Sequence, residues 1–122
     1  MTASILTVDD SSSLRLATRI ALTGAGYTVT EACDGLEGLG KAQGQKFDMI
    51  ITDLNMPNMD GLSMIREIRK LPIQMGTPII FLTTESDDAI KQEARAAGAT
   101  GWLVKPFQPD QLLRIAKKVL GR

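Results

Sequence analysis

Five times in 122 residues a short apolar run gives way to an amphipathic stretch, and this alternation is what most narrows the possible folds. The runs fall at residues 4–8, 27–32, 49–52, 78–82 and 101–104. Each is rich in β-branched or aromatic residues and too short for a buried helix. Residues 27–32 alternate as a strand with one wetter side, whereas residues 49–52 are apolar on both sides, as a central parallel strand requires. Between and after them lie five helical patterns. The first turns Leu14, Ala17, Ala21 and Leu22 inward and stops at Gly24 and Gly26. The second, residues 35–43, turns Leu36 and Leu39 inward and carries Gly38 and Gly40, each costing about 1 kcal/mol against Ala, which predicts the softest helix. The third buries Met64, Ile65, Ile68 and Leu71, and the fourth, residues 86–97, has a small inner face of Ile90, Ala94 and Ala97. The last opens at Pro109, buries Leu112, Ile115, Ala116, Val119 and Leu120, and ends at Gly121. Strand and helix in strict alternation predict an α/β, doubly wound, five-stranded parallel sheet with five helices, formed as one domain over residues 1–122.

Composition then removes whole classes of chemistry. The chain has no histidine, which excludes Ser-His-Asp and Cys-His nucleophile systems and any histidine-ligated metal. Cys33 is the only cysteine, so neither an internal disulfide nor a cysteine zinc cluster can form, and it reads as a small packed thiol in a reducing compartment. Fourteen basic residues offset fourteen acidic ones, so no net field points to nucleic acid or an anionic membrane. No apolar run approaches the ~20 residues of a membrane span and no signal peptide opens the chain, so a cytoplasmic protein is expected. What remains is carboxylates, Lys, hydroxyls, backbone groups and hard cations.

Those groups sit at the strand exits. Asp9 and Asp10 follow the first strand, Asp53 the third, Thr83 the fourth and Lys105 the fifth. In a parallel sheet these ends share one edge, where open α/β folds bind ligands. Two carboxylates ~4 Å apart at an effective dielectric of ~20 repel by about 4 kcal/mol. Lys105 offsets one charge, and the remainder suits a hard divalent ion held through oxygen, which describes Mg2+ better than a softer metal. Each piece also has a bland reading. The Asp pair before Ser11 to Ser13 can be a helix cap, Thr83, Thr84, Glu85 and Ser86 can cap the fourth helix, and Lys105-Pro106 can be a turn. Met56 and Met59 around Pro57 read as loop packing. The conjunction favours a site.

Asp53, presented by the central strand, is the candidate nucleophile for in-line attack on a phosphoryl group, giving an acyl phosphate. Asp9 and Asp10 would hold the metal, with Asn55 offering its backbone carbonyl, and Thr83 would bond a phosphoryl oxygen once one is present. The added charge would draw Thr83 and Lys105 inward. An aspartyl-phosphate phosphatase would need a second acid two residues after the nucleophile, where this chain has Asn55. A flavin-binding electron carrier of this fold class would need phosphate donors where Asp9 and Asp10 stand.

Asp9-Asp10, the run from Asp53 through Asn55, Pro57 and Asp60 to Gly61, Thr83-Thr84-Glu85 and Lys105-Pro106-Phe107 together resemble the receiver domain of two-component response regulators. The resemblance covers essentially the whole chain. It implies the strand order 2-1-3-4-5 of the flavodoxin-like, CheY-like fold and a cis peptide between Lys105 and Pro106. It further implies Mg2+ as cofactor and phosphorylation of Asp53 by a sensor histidine kinase of the CheA type, in a signalling domain rather than a turnover enzyme. With no output domain after Arg122, a monomeric chain would signal through a changed surface, the fourth helix, fifth strand and fifth helix, including Lys91, Arg95, Trp102 and Lys118. Asn55 and Glu85 occupy the positions that the chemotaxis branch associates with rapid self-dephosphorylation, which points to a flagellar motor switch protein as partner. The runner-up is a phosphorelay shuttle or phosphate sink working with a histidine phosphotransfer protein. Trp102 departs from the family's usual Tyr or Phe switch ring. Either the larger indole turns less freely than that ring or it stays outward as part of the partner surface, or it is a partly buried strand anchor.

Overall fold

The computed structural model describes residues 2–84 and 88–121. Its five strands are β1 (Ser4–Val8), β2 (Thr28–Ala32), β3 (Met49–Asp53), β4 (Ile79–Thr83) and β5 (Gly101–Val104). The helices are α1 (Ser12–Gly24), α2 (Gly35–Gly44), α3 (Gly61–Ile68), α4 (Asp88–Ala97) and α5 (Pro109–Leu120). All strand pairs are parallel and the sheet runs in the order β2-β1-β3-β4-β5. Val8 lies level with Thr52, Asp53 with Leu82 and Thr83 with Val104, so the strand exits come out along a single rim.

Alternate residues of the sheet feed two cores. Leu6, Val8, Ile50, Ile79 and Phe81 pack under α2, α3 and α4, against Ala42, Met64, Ile65, Ile68 and Ala94. Ile5, Met49, Ile51, Ile80, Leu82 and Leu103 pack under α1 and α5, against Leu22, Leu112 and Ala116. Each Leu or Ile so buried contributes about 1.5–3 kcal/mol. No helix among the described residues is long and apolar enough to cross a membrane.

Side-chain caps set the helix starts. The α1 cap is Ser11, whose oxygen accepts from the Leu14 N–H at 3.3 Å, rather than the preceding aspartates, which are left for other work. Asp34 caps α2 and Asp60 caps α3. At α5, Gln108 and Gln111 form a reciprocal capping box, Pro109 stands in the first turn and Gly121 closes the helix at φ 72°.

Several expected burials are corrected. Ala17 is exposed and Thr18 is buried in its place on α1. Leu36 is 54% exposed, because α2 turns Gly38 and Ala42 inward instead, while Gly35 lies against the Met59 backbone. A Cβ on Gly38 would stand 2.7 Å from the Met64 sulfur and 2.9 Å from Val8 Cγ2, so the absent side chain is what lets α2 sit so close. Leu71 lies beyond the end of α3 and is half-buried, opening a 3-10 turn at Pro72–Gln74. Cys33, expected to be packed, is exposed just after β2. The fourth helix is described from Asp88, so the expected start at Ser86 lies outside the described residues.

Candidate functional site

The β1 exit presents Asp9 with almost all of its hydrogen-bonding capacity committed to holding it in place. Its N–H donates to the Ala32 carbonyl at 3.1 Å, and its own carbonyl accepts from Arg15 Nη1 at 2.5 Å. Its Oδ1 accepts from the Ser11 N–H at 2.8 Å. Oδ2 remains, buried and without a hydrogen bond, 3.6 Å from Lys105 Nζ. Burial pushes the Asp9 carboxyl above the ordinary carboxylate range, and the charges of Asp53 and Asp10 add to that, against the opposing pull of the Ser11 N–H and Lys105. A carboxylate fixed this way with one orphaned oxygen is poised for a cation.

Asp53 closes β3 from the centre of the sheet. Its Oδ1 accepts from the Leu54 N–H at 2.8 Å, and its Oδ2 accepts from Lys105 Nζ at 2.9 Å. Asp10, exposed on the rim, completes an acidic trio in which one oxygen from each of Asp9, Asp10 and Asp53 lies within 4.8 Å of the others. Three negative charges face one ammonium group. All the donors are hard oxygens and one of them is orphaned, so the residues fit a hard divalent ion such as Mg2+.

Thr83, buried at 2% exposure, ends β4 beside this cluster in the sheet order. Lys105 stands one residue past β5 and is joined to Pro106 by a cis peptide, as the resemblance implied. Asn55 is exposed on the loop after Asp53. Glu85 lies outside the described residues. Trp102 on β5 is half-buried, with its ring 6.1 Å from that of Phe81 and tilted by 35°. Two cations of α4 cover it, Lys91 Nζ at 4.6 Å and Arg95 Cζ at 5.5 Å from the ring. Beside it a cavity of about 420 Å³ is lined by Ile80, Ile115, Lys118 and Val119. A slightly larger cavity of about 480 Å³, by Ala3, Gly26 and Tyr27, is at the opposite end of β1 from the acids and shares none of their residues.

Sequence reasoning missed Arg15. Six residues after Asp9, it returns along α1 to hold the Asp9 carbonyl, and Glu31 at 3.6 Å fixes its guanidinium. An Arg in the first turn of a helix looks like any solvated charge until the loop geometry is known.

The sequence matches the response regulator receiver domain family over residues 5–117. In structure the chain is similar to the chemotaxis response regulator CheY4 of Vibrio cholerae, at 48% identity and a TM-score of 0.94, covering 98% of this chain and 100% of that one. It is also similar to the receiver domain of the sensor histidine kinase PA1611 from Pseudomonas aeruginosa, solved with a magnesium ion coordinated in its active site cleft. That match has 32% identity and a TM-score of 0.91, and covers 100% of both chains. Among curated proteins it is 38% identical over 118 residues to the response regulator ArlR of Staphylococcus aureus, covering 97% of this chain and 52% of that protein. It is 36% identical over 118 residues to the transcriptional regulatory protein ResD of Bacillus subtilis, covering 97% of this chain and 48% of that one. The chain thus spans about half the length of the curated relatives it matches.

Proposed function

The chain belongs to the response regulator receiver domains of two-component systems, and from that membership we propose that Asp53 is its phosphoacceptor. The observation that carries this reading is the Asp53 carboxylate itself, held at 2.8 Å by the Leu54 N–H and at 2.9 Å by Lys105, in a trio where the buried Asp9 Oδ2 has no hydrogen bond. In the proposed transfer the P–N bond of a kinase phosphohistidine breaks, with its electron pair staying on the imidazole. An Asp53 carboxylate oxygen forms the new O–P bond, giving an acyl phosphate. Asp9, Asp10 and Asp53, with the Asn55 carbonyl, would hold Mg2+, which when bound neutralises charge on the phosphoryl oxygens. Lys105 contributes its ammonium to the same charge, and Thr83 supplies a hydroxyl to a phosphoryl oxygen. The change at Thr83 and Lys105 passes along β4 and β5 to Trp102, under Lys91 and Arg95 of α4, and alters the α4-β5-α5 surface.

The output we propose is CheY-type chemotaxis signalling to a flagellar motor switch protein, by a cytoplasmic, monomeric, single-domain regulator supplied by a CheA-like kinase. It is supported by the 48% identity to CheY4, which the chain covers over 100% of its length. A second reading, a phosphorelay shuttle or phosphate sink, is favoured by the likeness to a receiver domain from a sensor histidine kinase. Incubation with acetyl phosphate or a phosphohistidine donor should label the wild type at Asp53 and leave Asp53→Asn unlabelled. Retained label in that variant would move the acceptor elsewhere. Capture of the phosphorylated form by a motor switch protein rather than a histidine phosphotransfer protein would decide between the two outputs.

A further inference from the structure

The loop from Leu54 to Asp60, which carries Asn55, is gripped from outside the pocket by the turn that follows β2. Gly61 N–H donates to the Leu54 carbonyl at 2.8 Å and closes the loop upon itself. The Gly35 N–H then donates to the Met59 carbonyl at 3.1 Å, and Asn58 Nδ2 donates to Asp34 Oδ2 at 2.7 Å. The two segments meet backbone to backbone, since a Cβ on Gly35 would stand only 2.3 Å from the Met59 oxygen. Asn58 itself holds a left-handed backbone at φ 68°, a conformation Asn tolerates better than most residues and that its side-chain bond to Asp34 helps retain.

Capping alone does not account for Asp34. The cap uses Oδ1, which accepts from the Glu37 N–H at 2.9 Å, while Oδ2 reaches a residue 24 positions away on another loop. The N–H of Glu37 and the amide of Asn58 hold the Asp34 carboxyl below the ordinary carboxylate range, so at neutral pH it is an ionised acceptor, and hydrogen bonds to such groups are the stronger kind. We propose that the Asp34–Asn58 hydrogen bond fixes the shape of the Asn55-bearing loop, making Asp34 and Asn58 positioning residues for the cation pocket. The inference rests on the reading of that pocket as a Mg2+ site. It extends that site to residues that touch neither the ion nor the phosphoryl group, as supporting partners of metal ligands commonly do.

The test is a double-mutant cycle on the full chain. Asp34→Ser keeps a good helix cap but cannot reach Asn58. Asn58→Gly keeps access to the left-handed backbone but removes the donor. Titration calorimetry with MgCl2 should show each single variant binding about tenfold more weakly than wild type, and the double variant no weaker than either single. Without magnesium, the Met59 and Gly61 amides should exchange faster in both single variants while those of Ile50 and Ile51 on β3 keep the wild-type rate. That local pattern is one a general loss of stability would not produce. Wild-type affinity in the single variants, or a double variant as weak as the two losses combined, overturns the positioning role. A wild type that takes up no magnesium overturns the underlying metal reading instead, so the two failures are told apart.

Discussion

Removing one carboxylate from the acidic trio should stabilise the metal-free protein, and Asp10→Asn is the cleanest perturbation. Asp9 and Asp53 both face Lys105, at 3.6 and 2.9 Å, whereas Asp10 is exposed and, among the described residues, forms no ion pair. At the 4.8 Å limit of the cluster, a pair of like charges costs about 0.9 kcal/mol in bulk water and about 3.5 kcal/mol at an effective dielectric of 20. Asp10 takes part in two such repulsions, and its longer-range attraction to Lys105 offsets about one of them. The exposed position favours the watery end of the range, leaving a gain of about 1–2 kcal/mol. For 122 residues the unfolding entropy is about 0.26 kcal/mol/K, so Tm in EDTA at low salt should rise by about 4–8 °C. Raising the salt to about 1 M shortens the Debye length to roughly 3 Å and should erase most of the difference. With Mg2+ at about a hundred times its wild-type Kd, the wild type gains about 2.7 kcal/mol and a variant binding tenfold more weakly gains about 1.4, so the gap narrows. Calorimetric scans of both proteins in EDTA, in EDTA with salt and in magnesium give the full comparison. Equal melting points in low-salt EDTA, or a gap indifferent to salt, would refute the crowding argument.

Two glycines of α2 should respond in opposite directions to alanine. Gly40→Ala points into open space and should raise stability by about 0.5–1 kcal/mol. Gly38→Ala drives a methyl against Met64 and Val8 and should lower stability by about 1 kcal/mol net, a contrast read from urea midpoints. Lys91→Met removes the nearer cation over Trp102, an interaction worth about 0.5–1 kcal/mol, and should open the indole to solvent. Acrylamide quenching of the sole tryptophan should rise, and an unchanged quenching constant would mean that Arg95 alone holds the ring.

What could be read in advance divides along a physical line. The strands were legible because a period-two or doubly apolar run depends only on near neighbours, and the rim followed because parallel strands must expose their ends together. Asp9, Asp53 and Lys105, up to 96 residues apart in the chain, meet there at 2.9 and 3.6 Å. The cis peptide at Lys105-Pro106 and the strand order came from family resemblance, since no local pattern encodes either. Helix rotation was less legible. Periodicity put Leu36 inside, but packing at α2 is decided by the residues small enough for close approach, so Gly38 and Ala42 face inward and the leucine turns outward. Gln74 shows the same limit in polar form. It is fully buried because its amide donates to the Ala42 and Gln45 carbonyls while its oxygen accepts from Phe47 N–H and Thr77, partners that only the folded chain assembles.

The same distinction explains why the acids could be found and their supports could not. An acid at a strand exit is positioned by its own strand, so type and place suffice to identify it. Arg15 and Asp34 act on that rim through a carbonyl and a neighbouring loop, and neither carries a local signature. Ser11 shows how much turns on such supports. Had Asp9 or Asp10 capped α1, the carboxylate would have been spent on helix N–H groups. With Ser11 bonding Leu14 N–H and offering its own N–H to Asp9 Oδ1, the helix start is satisfied and the other oxygen of Asp9 stays open toward the pocket. A serine at the cap thus satisfies the helix start without calling on either aspartate, and the Asp9 oxygen that faces Lys105 is left without a hydrogen bond.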